Sequence, residues 1–484
     1  MNKSFESLPK DKRKKIILIS DDIRVHSGVA TISKEIVEHT AHHFNWVNIA
    51  GAIKHPDAGK ALDLSQAINE NMGISDASVK LYCTDGYGTE EQVLAVIQQE
   101  KPDALMLFTD PRYFTHVFNM EDKIRKMCPI FYLNIWDDYP APRYNQAFYE
   151  SCDLLMGISK QTKNINELVL ADVDTSKKVF KYIPHGLNHK HYFPITKDHD
   201  DYKDLKIFRQ QKLFRNKEVD FCLFFNSRNI RRKQIPDTMM AFRAFLDSLP
   251  NEKAQKCRLI LHTELSTDHG TDLTKVKEYL FDESYSDCVI FSTAKLARKE
   301  LNYLYNIADA QILLTSNEGW GLTITEAILA GTPIIANVTG GMQDQMRFVD
   351  NKGKWYEPCP EIPSNHRGTY KEHGEWAFPV YPTSRSIQGS PPTPYIYDDR
   401  CTWEDACDRI KEIYSLGREE LKRRGKSGRE WALSEEAGFT AEVQAQRFME
   451  AAHACWDIWE PREDYEIFNA TEYKGKTLNH KITY

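Results

Sequence analysis

Two glutamates eight positions apart flank a tryptophan set between glycines in NEGWGLTITEAILAGTPIIA, residues 317–336. Carboxylates such as Glu318 and Glu326 accept hydrogen bonds from vicinal hydroxyls, the chemistry that holds a sugar or a ribose. Gly319 and Gly321 let the backbone come close to a ligand, and the free amides near Leu322 and Thr323, at the start of a helix, can receive phosphate. Thr323 followed three residues later by Glu326 also reads as a capping box, with Glu326 reaching back to a backbone N–H. Glu318 has no such structural role. It belongs to the loop after the apolar run ILLTS, at the carboxyl end where open α/β sheets bind ligands.

A second segment, FFNSRNIRRKQIP, places Arg228, Arg231, Arg232 and Lys233 in the loop feeding the helix that Pro236 opens. A helix N-terminus carries about half a positive charge, so each cation there is disfavoured by a few tenths of a kcal/mol unless an anion sits among them. A diphosphate would suit. Arg228 offers a planar fork and Lys233 a mobile point charge, so the pair could hold a pyrophosphate from two directions. The alternative is that all four side chains fan into solvent.

These residues need a scaffold, and the apolar runs describe one. KIILIS (15–20), ALMLFT (104–109), IFYLNIW (130–136), DLLMGIS (153–159) and VFKYIPHG (179–186) read as buried strands alternating with helices. After the polar stretch from 187, the alternation restarts with strands at 221–227, 258–263, 288–293, 310–316 and 332–338. Helices are expected near 236–248, 272–280, 297–307 and 323–330. Two Rossmann-like α/β halves follow, with expected domains 1–190, 191–435 and a C-terminal helix and tail, 436–484, packing back on the first. Residues 345–400, dense in Pro, Gly, Ser and aromatics, break the rhythm and read as an ordered flap.

The bulk properties set limits. At 484 residues the chain exceeds the roughly 250–300 residues of one hydrophobic core. Its 41% hydrophobic and 27% charged residues are those of a globular protein. No run reaches the ~18 apolar residues of a membrane span and the N-terminus lacks a signal-peptide core, which points to the cytoplasm. Ten cysteines without a CxxC read as buried thiols. A formal charge of −7 gives no global pull toward nucleic acid, and the basic runs at 10–15 and 421–429 read as solvated faces. The DVD at 172–174 precedes a strand instead of ending one, and HGLNHKH (185–191) reads as a turn, so no metal site is expected.

The Glu318-x7-Glu326 spacing, the AGTPIIANVTGG that follows, the upstream NSRNIRRKQ and the N-terminal HSGVAT together resemble the retaining GT-B glycosyltransferases of family GT4, over roughly residues 15–345 and the C-terminal helices. The resemblance implies two Rossmann-like domains facing each other across a cleft, with C-terminal helices crossing back to the N-terminal domain. It implies that Glu318 contacts the donor sugar, that Glu326 binds the ribose diol, and that Arg228 and Lys233 hold the diphosphate as it leaves. Gly28 would face them across the cleft, and Gly321, Leu322 and Thr323 would complete the donor site. The co-substrate would be a nucleoside-diphosphate sugar, a UDP-sugar first, with no cofactor and no metal. The transferred group would be a hexosyl or pentosyl unit.

One departure is visible. Where many relatives have a histidine, YLNIWDDYP places Trp136 followed by Asp137. Asp137 could orient acceptor or donor, or cap the next helix. The acceptor is open between hydroxymethylcytosine in DNA, a polysaccharide and a small molecule, and oligomeric state is open too. Rival readings are a GT-B sugar-nucleotide epimerase and a non-catalytic nucleotide-sugar-binding subunit. The Glu pair argues against the first and Glu318 against the second.

Overall fold

The computed structural model describes residues 6–358, 365–366 and 368–463. Its first sheet contains β1 (Lys14–Asp21), β2 (Phe44–Ala52), β3 (Ala61–Asp63), β4 (Val79–Asp85), β5 (Ala104–Phe108), β6 (Ile130–Asn134), β7 (Leu154–Gly157) and β8 (Val179–Tyr182). They lie in the order β3-β4-β2-β1-β5-β6-β7-β8, parallel except for β3 against β4. Ile16, Ile17, Leu18 and Ile19 of β1 are all fully buried, and successive residues join apolar clusters on opposite faces of the sheet. A strand covered on both sides has no polar face to spare, which is why its sequence is a continuous apolar run.

Not every strand is so plain. In β2 the run is broken by Asn48, buried because its amide donates to the Leu18 and Ile49 carbonyls at 3.1 and 3.2 Å. An internal polar residue satisfied by neighbouring backbone costs little once the sheet has formed, but it hides the strand from a reading of hydropathy.

The second sheet contains β9 (Phe221–Asn226), β10 (Cys257–His262), β11 (Val289–Ser292), β12 (Ala310–Leu313), β13 (Ile334–Asn337) and β14 (Ala377–Val380). The order β11-β10-β9-β12-β13-β14 is the 3-2-1-4-5-6 arrangement of dinucleotide-binding folds, whose ligands sit at the carboxyl ends of the strands beside the switch point. Here that point lies between β9 and β12. The last strand falls inside the segment expected to be a flap. It is four residues long and contains Pro379, which an edge strand accommodates because its outer N–H side needs no partner.

The rest of the described flap forms a hairpin, β15 (Ser384–Ser390) and β16 (Thr393–Arg400). It ties the halves together beside the cleft. Asp399 N donates to Ser316 O at 2.8 Å in the second half, while Tyr397 N donates to Tyr139 O at 2.7 Å and Tyr395 O accepts from Tyr144 OH at 2.8 Å in the first.

Of the C-terminal helices, Trp403–Ala432 stays with the second half: Arg418 Nε bonds Asp309 Oδ1 at 3.0 Å and the Tyr414 ring meets Phe245 edge-on. The helix Ala441–Trp456 crosses back onto the first half. Gly186 N donates to Gln444 Oε1 at 3.1 Å and Trp456 Nε1 to Asp103 O at 2.8 Å. The expected tail beyond residue 463 lies outside the described residues. Among the described residues no helix is long and apolar enough to cross a membrane, and the nine cysteines are buried free thiols.

Candidate functional site

The loop after β9 ends in a short 3-10 turn, Arg231–Lys233, which turns directly into the helix Ile235–Asp247 with Pro236 in its first turn. The loop after β12 carries Asn317–Gly321 into the helix Leu322–Leu329. Strand pairing of β9 with β12 sets the two loops side by side. Lys233 Nζ therefore meets Glu318 Oε2, and Arg232 Nη1 bonds the same oxygen at 3.0 Å.

Two cations on one carboxylate determine its ionisation. Burial raises the Glu318 carboxyl, but Lys233 and Arg232 outweigh it and hold the group well below the usual carboxylate range. Lys233, with its side chain 10% exposed, is drawn below the ordinary lysine value by burial against the opposing pull of Glu318. The two cations thereby keep Glu318 ionised at neutral pH.

The glycines of the Gly-Trp-Gly have separate reasons. A Cβ on Gly319 would lie 2.6 Å from Ile135 O and 3.1 Å from Asp137 Oδ1, so only glycine lets the loop pass this close to the opposite half. Gly321 has φ +89, a left-handed conformation that starts the helix. Trp320 between them is 2% exposed, donates through Nε1 to Thr325 Oγ1 at 3.0 Å and meets the Phe439 ring edge-on. It anchors the loop; it does not face a ligand.

Because Gly321 is the N-cap, the helix begins at Leu322 and Glu326 stands in its second turn. The expected capping box between Thr323 and Glu326 is therefore absent. Glu326 instead points to its neighbours in the fold: Oε1 accepts from Tyr192 OH at 3.0 Å, and Oε2 from Tyr305 OH at 2.5 Å and Asn226 Nδ2 at 3.5 Å. Burial pushes its carboxyl up to about 7 against these hydrogen bonds.

That shift has a testable sign. A folded value above the unfolded one stabilises the fold fully below the unfolded value, near 4.3, and the contribution is lost as pH rises through the folded value. Glu326→Gln removes the dependence. Its melting temperature relative to wild type is expected to rise between about pH 5 and about pH 8. A gap that is constant over this window would contradict the burial effect.

From the first half, Asp137 reaches across: its Oδ1 accepts Gly319 N at 3.1 Å, and its Oδ2 lies 3.9 Å from Arg232 Nε. It does not cap a following helix. Burial raises its carboxyl, with Arg232 pulling down and Glu318 pushing up. Gly28, the first residue of the helix Gly28–Thr40, lies opposite Leu322, whose Cδ1 would be 3.1 Å from a Cβ added there. Two helix N-termini thus face the same cleft, an arrangement suited to anions.

Of the residues singled out in the sequence, the structure brings together Glu318, Lys233 and Asp137, sets Gly28 against Leu322, and places Glu326 in the second turn of the helix that Leu322 begins. Arg228 is not brought to Glu318: its side chain is exposed, while Asn229 beside it is buried and bonded to Glu264 and to Thr271 O. Arg232 is the residue that sequence reasoning passed over. The run of cations flagged the loop, but which one turns inward depends on the 3-10 turn.

Asp172 of the DVD pairs with Arg143 on the surface, and His185 is buried between Phe108 and Trp320, where burial holds it neutral with a value of about 3. Among the described residues one group has the spacing of a metal site, Asp22, His55 and Cys83, but Arg24 donates to both oxygens of Asp22, so this cluster carries its own cation.

Residues 209–361 match the family described as Glycosyl transferases group 1. Mannosylfructose-phosphate synthase of Agrobacterium fabrum is 24% identical over 203 residues, covering 41% of this chain and 41% of that protein. Alpha-monoglucosyldiacylglycerol synthase of Acholeplasma laidlawii is 27% identical over 244 residues, 50% of this chain and 54% of that one. The match thus spans about half or less of the length of these curated relatives. Among solved structures, Anabaena HepE in complex with UDP and glucose superposes with a TM-score of 0.60 at 14% identity, over 91% of this chain and 100% of that one. The two-sheet fold is the GT-B fold.

Proposed function

We propose, from a GT-B fold whose residues 209–361 match group 1 glycosyltransferases, that the chain is a retaining glycosyltransferase using a nucleoside-diphosphate sugar. The reading rests above all on one observation: Lys233, Arg232 and Glu318 meet at the carboxyl ends of β9 and β12, facing a helix N-terminus of the opposite half. A UDP-sugar is the first candidate donor, since the similar HepE structure holds UDP and glucose.

In the proposed reaction the bond between the anomeric carbon and the β-phosphate oxygen breaks, and its electron pair goes to that phosphate. The acceptor oxygen bonds to the same face of the anomeric carbon and its proton passes to the departing phosphate. Negative charge grows on the diphosphate and positive charge on the sugar ring, so fixed cations at the phosphate stabilise the transition state. The resemblance assigns that place to Lys233 and Arg228. Lys233 and Arg232 both bond Glu318 Oε2, and its Oε1 suits the sugar hydroxyls. Glu326, steadied by two phenols, suits the ribose diol. The amides of Gly321, Leu322 and Thr323 and the Gly28 turn suit phosphate, and Asp137 orients sugar or acceptor.

The test is a donor screen that measures released UDP, GDP or ADP from the matching sugars, first without acceptor and then with DNA containing hydroxymethylcytosine, a polysaccharide or small sugars. Release from one donor, stimulated by one acceptor, is expected; no release from any donor would overturn the reading. The same screen in EDTA is expected to run undiminished, because Lys233 supplies the charge that a divalent ion supplies elsewhere. Loss in EDTA with recovery on adding Mn²⁺ would refute that.

A further inference from the structure

We propose that Arg232 is the arginine that grips the leaving diphosphate, in the place that motif resemblance gives to Arg228, and that it does so through the Nε–Nη2 edge of its guanidinium. The proposal rests on the nucleotide-sugar reading above and deepens it.

The hydrogen bonds of Arg232 are one-sided. Nη1 alone donates to Asn317 O at 2.5 Å, to Glu318 Oε2 at 3.0 Å and to Thr315 Oγ1 at 3.4 Å. Among the described residues no hydrogen bond reaches Nε or Nη2, and Asp137 Oδ2 lies 3.9 Å from Nε. That leaves the edge of the fork whose two parallel N–H groups match two oxygens of a phosphate. The side chain is 30% exposed, against 10% for Lys233, so a ligand can reach it.

The residue is also held in place before any ligand arrives. Its carbonyl accepts from Ser316 N at 2.8 Å and Ser316 Oγ at 3.3 Å, and Ser316 is itself bonded by Asp398 and Asp399 of the hairpin. A guanidinium fixed by three acceptors on one nitrogen needs no rearrangement to present the other two, the condition under which fixed charge is most effective in a transition state. Arg228 has no comparable support. Its side chain is exposed and makes no ion pair or side-chain hydrogen bond among the described residues, and the chain beside it is drawn toward Glu264 and Thr271.

An incoming β-phosphate would occupy the edge that Asp137 approaches, and the electron pair of the breaking bond would end on an oxygen held there. Lys233 and the Nη1 group keep Glu318 in position meanwhile.

The experiment compares the full chain as wild type, Arg232→Ala, Arg232→Lys and Arg228→Ala, titrated calorimetrically with UDP, GDP and ADP and with the corresponding monophosphates. The wild-type preference for diphosphate over monophosphate is expected to fall by about tenfold or more in Arg232→Ala, by less in Arg232→Lys, which keeps the charge and loses the fork, and by less again in Arg228→Ala. Should Arg232→Ala not fold, Arg232→Lys carries the comparison. A larger loss in Arg228→Ala, or an unchanged preference in both Arg232 variants, overturns the assignment alone. Failure of the wild type to bind any of the three diphosphates overturns the nucleotide-sugar reading and the assignment with it.

Discussion

Lys233→Ala is expected to lower turnover about 10²–10³-fold, the loss seen when one fixed donor to a developing negative charge is removed from an enclosed site. The side chain stands in the cleft wall, 10% exposed, with its ammonium on Glu318. A structural lysine could reach solvent from a loop at little cost, so its retention inside points to a ligand charge. Stability should change far less than activity, because Glu318 keeps its bond to Arg232 and remains a paired carboxylate. The comparison is kcat with the donor and acceptor found by the screen, set beside the melting temperature. Turnover within about threefold of wild type, with the fold intact, would remove Lys233 from the reaction.

Glu318→Ala is expected to be the most damaging single change, and to damage both quantities. It takes away the carboxylate that both cations bond, and leaving the buried Lys233 without that partner costs about 3–5 kcal/mol. Asp137, at 3.9 Å from Arg232, compensates in part. The pH dependence identifies the cause. With its carboxylate partner gone, Lys233 is left with burial and Arg232 both drawing it below its unfolded value. A group with a depressed folded value contributes stability above the unfolded value and loses it as pH falls through the folded one. The variant should therefore regain melting temperature as pH rises toward the unfolded lysine value of about 10.4, more than wild type does. Glu318→Gln keeps the volume and an oxygen acceptor, and is expected to fold better while transferring little sugar. A Glu318→Ala protein as stable as wild type at neutral pH would mean that the two cations are not buried against it.

Much of this arrangement could be read along the chain. Ten strands were legible as apolar runs, because a strand covered on both faces needs nothing but apolar side chains. Two of those that escaped have identifiable reasons. Asn48 interrupts β2 with a polar group that only its sheet neighbours satisfy, and β14 is a four-residue edge strand with a proline inside. Glu318 and Lys233 stood out because a carboxylate at a strand's carboxyl end and a cation before a helix N-terminus both run against local preference.

The failures were of one kind. Thr323 and Glu326 have the spacing of a capping box, but one glycine with φ +89 moved the helix start and turned Glu326 onto Tyr192, Tyr305 and Asn226. Four cations in one loop looked alike, and a three-residue turn set Arg232 and Lys233, not Arg228, against Glu318. Asp137 looked like a strand end, yet its partner is the Gly319 amide, 182 residues away.

The order of residues determined the elements, the loops in which charge would gather, and the chemical groups on offer, since these follow from preferences acting within a few residues. Which groups meet was decided by the packing of two sheets and a hairpin against each other, because contacts such as Asp137 to Gly319 or Ser316 to Asp398 exist only once segments far apart in the chain meet at the cleft.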